Sequence, residues 1–302
     1  MVRRVYVDTA WKSKLHTCYD PVEDRFFEVE DLTELAEKYN KVYIDNTIFP
    51  RMWPQLNALI DNGVKVFYFT RPWTWRRWRE KYAKELKKRF GKKKTDYGDA
   101  YILSRIHDGK PRFFKEVKPL DVEFKPLLMK EKKLADVLLG LRQMQMLGVN
   151  AEDLIGVMEG MLTKLRRDIV ERAVEKIPRF MEIAEKLGLN NDDVNALLAL
   201  AGLLIYLKWP YEVASMHKAI RFLGLYKPTR KDVEKFEERA GEDYVKRYSG
   251  GARRCLNSLT TAILNREKGV FPPRARDERK VLKRLLKILE SYNGGAANGG
   301  AG

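Results

Sequence analysis

The chain has 302 residues, 44% of them hydrophobic, which suits two globular domains or one large one. Lys and Arg number 59 against 42 acids, a net charge of +17, and a surplus of that size points to a polyanionic partner, nucleic acid before membrane. The longest apolar run, VNALLALAGLLIYL from Val194, has about 14 residues against the roughly 20 that span a bilayer, so a buried helix is expected there and no membrane partner.

In chain order, VRRVYVDTAW, KLHTCYD and RFFEVED are three β-rich runs set close together, which reads as an antiparallel meander turning at DPVED. LTELAEKY is a short amphipathic helix, and KVYID and GVKVFYFT are two further strands. Between them PRMWPQLNALIDNG is helical, entered through Pro50 and Pro54 and closed by Gly63. WTWRRWREKYAKELKKRF is expected as a helix. So is TDYGDAYILSRIHDG, with Thr95 as N-cap and Gly109 as stop. Residues 1–125 therefore form an α/β domain of meander plus βαβ-like crossovers. From 126 the periodicity is wholly helical. Leu134, Val137, Leu138, Leu141 and Met144 share one face of a long helix, in a connector over 126–188 that reads equally as a coiled-coil arm or as part of a bundle. A helical domain follows over 189–290, and the low-complexity ending at 291–302 is expected to be disordered.

Cys18 and Cys255 are isolated and show no CxxC or Cys/His spacing, which argues against zinc. His16, His107 and His217 are scattered and suggest no Ser-His-Asp arrangement. Nothing at the N-terminus resembles a signal peptide, so a reducing, cytoplasmic and nucleoid-associated setting is expected. Three glutamines against many Lys, Arg and Glu lean towards a thermophilic source.

Four aspartates carry the chemistry. Asp8 in VYVDTAW and Asp45 in VYIDNT stand at the C-terminal ends of strands, where open α/β sheets place their sites. Asp96 and Asp99 lie one helical turn apart and can point to one side. A converging tetrad suits Mg2+ or Mn2+, two ions about 4 Å apart activating water and stabilising the leaving oxygen of a phosphodiester. The plainer reading is also open: a strand-end Asp is often a turn residue, and Asp in a first helical turn is favoured by the helix dipole alone. Just ahead of the pair, residues 71–94 hold 12 Lys/Arg and two Glu. Arg76, Arg77, Arg79, Lys92, Lys93 and Lys94 are candidates for phosphate contact. Interleaved Trp75, Trp78, Tyr82, Leu86 and Phe90 fall on one helix face, which favours packing over base stacking.

KTDYGDA resembles the K-T-D-x-x-D-A signature of the DEDD transposases, the insertion-sequence one-ten group of bridge-RNA-guided recombinases. The resemblance implies an N-terminal RuvC-like, ribonuclease H-like domain joined through a coiled coil to a helical transposase domain. It also implies metal-dependent DNA cleavage and strand transfer, a structured guide RNA, DNA partners and a homo-oligomer, dimer or tetramer. VYVDTAWK is similar to the family's first acidic motif, with Asp8 as the acid and Lys12 after it, and VYIDNT to the second, where Asp45 replaces the family's Glu. Asp96 and Asp99 match the last two acids. MHKAIRFLGLYKP is similar to the stretch ending in G-L-x-P, through Gly224, Leu225 and Pro228. The family's nucleophilic serine follows that stretch in an S-G. Here the first such pair is Ser249-Gly250, which makes Ser249 the nucleophile candidate and Arg253 and Arg254 its phosphate-binding neighbours. A serine beside two glycines also reads as a plain helix N-cap. A RuvC-like nuclease or junction resolvase without serine chemistry, and a domesticated protein that only binds RNA or DNA, are the alternatives.

Overall fold

Alternating apolar residues at the start of the chain form three strands, β1 (Arg4–Asp8), β2 (His16–Asp20) and β3 (Arg25–Val29), paired as an antiparallel meander. The computed structural model describes residues 3–10, 15–45, 52–92, 95–226, 249–268 and 273–293. β4 (Lys41–Ile44) runs parallel to β1, β5 (Lys65–Phe69) parallel to β4, and β6 (Phe114–Glu116) antiparallel to β5. The sheet order is β3-β2-β1-β4-β5-β6. The sequence reading lacks β6, because three residues, FKE, are too few to establish an alternation.

The pleat sorts side chains to two faces. Val5, Val7, Val42 and Ile44 pack with Leu32 and Leu35 of a 3-10 helix (Leu32–Glu37) and with Leu56 and Leu59 of α1 (Met52–Asp61). Tyr6, Tyr43 and Phe69 take the other face, with Leu86 of α3 (Ala83–Phe90) and with Ala100, Ile102, Leu103 and Ile106 of α4 (Asp96–Gly109). The basic aromatic segment is three pieces instead of one helix: a 3-10 turn (Pro72–Thr74), α2 (Trp75–Lys81) and α3, broken at Tyr82. Trp75, Trp78, Tyr82 and Phe90 still pack on the α4-side core, so the aromatic stripe is a packing surface.

The chain divides into two compact units, Met1–Pro126 and Leu127–Gly302. α5 (Pro119–Met146) contains the division. In the second unit α5 and α6 (Glu152–Lys176) run antiparallel, tied by Arg166–Glu131 at 2.7 Å and Arg142–Glu159 at 2.6 Å. Then come α7 (Phe180–Lys186), α8 (Val194–Tyr206), α9 (Met216–Phe222), α10 (Gly250–Lys268) and α11 (Ala275–Asn293). The apolar run is the buried α8, which packs on both α6 and α10. That packing unites the expected connector and helical domain in one unit. No helix of the described residues is long and apolar enough to cross a membrane. Residues 294–302, most of the expected disordered tail, lie outside the described residues.

Candidate metal centre

Strand register positions the first two acids. β1 and β4 pair Val7 with Ile44, so one step further brings Asp8, the last residue of β1, beside Asp45, the residue after β4. Parity assigns both to the face of Tyr6 and Tyr43, which α4 covers. α4 lies along β1 and β2, and its first turn carries Asp96 and Asp99.

Thr95 begins that helix as expected: its Oγ1 accepts a hydrogen bond from the Gly98 N–H at 2.8 Å. Gly98 is required there by space. A Cβ would stand 2.9 Å from Thr95 Oγ1 and 3.2 Å from Leu86 Cδ2, disturbing both the cap and the α3 contact.

Asp8 senses the other three acids. Asp45 and Asp99 are buried, Asp8 is half-buried and Asp96 is exposed. Burial pushes the Asp8 carboxyl up to about 9, the charges of Asp45, Asp99 and Asp96 push the same way, and Arg79 opposes them. Two of the carboxylates are already engaged. Asp45 Oδ1 accepts from the Thr9 N–H at 3.0 Å and from the Thr9 hydroxyl. Asp99 is gripped by Arg79 of α2, whose Nε donates to Oδ1 at 2.8 Å and whose Nη2 donates to Oδ2. The guanidinium also lies 5.5 Å from the Trp75 ring centroid. Among the described residues, no three His, Cys, Asp or Glu side chains are gathered closely enough to hold a metal ion. In kind, however, the donors fit a hard divalent cation: they are all carboxylate oxygens, partly withdrawn from water and mutually repulsive without a cation.

No protein-family model matches the chain, and no curated protein matches it either.

The other candidates are dispersed. Arg79 is turned onto Asp99 instead of outward to phosphate, because α2 packs against α4. Arg76 is exposed and pairs with Glu80 at 3.0 Å, and Arg77 and Lys92 are exposed. Lys12, Lys93 and Lys94 lie outside the described residues. In the second unit, Ser249 Oγ accepts from the Ala252 N–H at 3.2 Å, and its carbonyl accepts from the Arg253 N–H. It is an N-cap of α10. Arg253 is committed to the interior: Nε and Nη2 donate to the buried Glu278, and Nη1 donates to the Leu223 carbonyl at 3.1 Å. Arg254 is exposed. Sequence reasoning missed two partners of the acids, Thr9 and the inward-facing Arg79. Thr9 follows Asp8 directly and was legible as a neighbour. Arg79 lies 20 positions before Asp99, with no spacing that could link them.

Proposed function

We propose that this chain carries out divalent-metal-dependent phosphodiester chemistry on nucleic acid, in the manner of a DEDD-type transposase or recombinase, with Asp8, Asp45, Asp96 and Asp99 as the metal-holding acids. One observation carries the reading: the β1–β4 register and the placement of α4 bring acids from three distant segments to one end of one sheet face. The meander followed by parallel crossover strands supports a RuvC-like assignment of the first unit. When bound, Mg2+ or Mn2+ supplies an activated water and stabilises charge on the leaving oxygen. The residues themselves do the rest. Asp99 must exchange Arg79 for the cation, and the released guanidinium then becomes a bidentate donor for a phosphate at the same place. Thr9 holds Asp45 in orientation.

A second reading, cleavage without serine chemistry, is favoured by Ser249, whose oxygen is occupied as a helix cap. Copies of the chain assemble in the first reading. This is supported by the α5–α6 tip, where Leu139, Met146, Leu147, Leu154, Val157 and Met161 are 49–87% exposed. Large apolar side chains left this exposed are the kind of surface that marks an interaction site. A guide RNA and DNA are the remaining partners of the proposal, supported by the net charge of +17.

Calorimetric titration with Mn2+ and a cleavage assay on duplex, junction and hairpin substrates test it. The expectation is two bound ions, with both binding and cleavage lost in Asp99→Asn. An Asp99→Asn protein that cuts at the wild-type rate sinks the acidic site, and a Ser249→Ala protein that keeps full activity selects the second reading.

A further inference from the structure

The second unit holds a cationic concavity that the site above does not use. A groove of about 620 Å³ is lined by Met216 of α9 and by Ala275, Arg276, Arg279, Lys280 and Lys283 at the start of α11. Of the six described lining residues four are cations and none is an acid. We propose that this groove is a binding site for the phosphate backbone of nucleic acid, separate from the aspartate tetrad.

Among the described residues the charge there is uncompensated. Among the described residues, Arg276, Lys280 and Lys283 have no ion-pair or hydrogen-bond partner, in contrast to Arg253, which is paired with Glu278, and Arg284, which donates to the Lys186 carbonyl. Neither acid of the first turn lines the groove. Asp277 accepts from the Arg274 N–H at 3.2 Å, and Glu278 is buried against Arg253. Arg279 is held in place by donating to the Leu225 carbonyl. Like charges left this close repel, and a bound polyanion relieves that repulsion. The spacing suits a backbone. Arg276, Lys280 and Lys283 follow i, i+4, i+7 and so share one helix face over about 10 Å, the axial reach of about three successive phosphates of one strand. The positive end of the α11 dipole adds to the field.

The same helix argues against a lipid surface. Its apolar residues, Val281, Leu282, Leu285, Leu286 and Leu289, are buried in the unit. Ile288 is half-buried, and among the described residues of α11 no large apolar side chain is exposed to enter a bilayer, as an interfacial helix requires.

The choice of nucleic acid rests on the function proposed above, and the test separates the two. Binding of the full chain to a labelled duplex DNA and to an RNA hairpin is measured by fluorescence anisotropy across a KCl series. In Arg276→Glu/Lys280→Glu/Lys283→Glu the slope of log K against log salt should become shallower by about 2–3, near 0.9 per lost phosphate contact. The unfolding temperature should be unchanged, since all three side chains are exposed. The milder Arg276→Gln/Lys280→Gln/Lys283→Gln serves as a check on any general effect of added negative charge and should shift the slope in the same direction. A folded triple variant with the wild-type slope overturns the groove alone. Wild-type protein without salt-dependent nucleic-acid binding overturns the functional reading as well. Loss of binding to phosphatidylserine vesicles with nucleic-acid binding intact also overturns the groove and assigns it to lipid.

Discussion

The Arg79–Asp99 pair decides how the acidic site behaves at the scale of single residues. A bidentate Arg–carboxylate pair that is mostly buried keeps both Asp99 oxygens occupied. Arg79→Ala removes the competitor, so Mn2+ affinity should rise by about tenfold or more by calorimetry. Without metal the same variant should unfold at a lower temperature, because breaking one side of a buried pair strands the other charge. The neighbouring Asp8 predicts a pH dependence of definite sign. Its folded-state carboxyl titrates at about 9 against an unfolded value near 4, so the folded chain holds a proton that the unfolded chain releases. Stability from this group is therefore full below pH 4 and falls as pH rises towards 9. Urea midpoints of metal-free protein should decline from pH 5 to 8, and Asp8→Asn should flatten that decline.

At the scale of elements, helix packing in the second unit depends on a glycine in the middle of α8. A Cβ on Gly202 would stand 2.6 Å from Cys255 Sγ of α10. Gly202→Ala should destabilise by about 1–3 kcal/mol through overpacking. Cys255→Ala removes the obstructing sulfur, so the double variant should recover most of the lost unfolding temperature; additive losses would show that some other contact is at fault. Elements were also where the sequence was most readable. The meander, the two crossover strands and the Thr95 cap follow from alternation and cap chemistry, which are local. β6 is not legible because three residues carry no period, and the basic aromatic segment reads as one helix because nothing in its spacing marks the break at Tyr82. At the site, alternation was enough to put Asp8 and Asp45 at strand ends. The Arg79–Asp99 and Arg253–Glu278 pairs join residues 20 and 25 positions apart through tertiary packing, so no pattern along the chain announces them.

For the whole molecule, the apolar α5–α6 tip predicts self-association through a two-fold, self-complementary contact. Leu154, Val157 and Met161 recur at i, i+3, i+7 along α6, which makes Leu154→Glu/Met161→Glu the direct probe. Light scattering after size exclusion should give a multiple of the 35.3 kDa chain for the wild type and one chain for the variant. An unchanged mass in the variant removes the tip from the assembly.

That tip is also a surface to which a polyanion is little drawn. Over residues 134–163 the sole base is Arg142, against Asp136, Glu152, Asp153 and Glu159, in a chain whose total charge is +17. Long-range steering follows local charge, so under the proposed function DNA or RNA should be guided elsewhere and leave this surface clear. Joining of copies should then tolerate salt that strips nucleic acid away, so that one ionic-strength titration resolves the two kinds of association into separate steps.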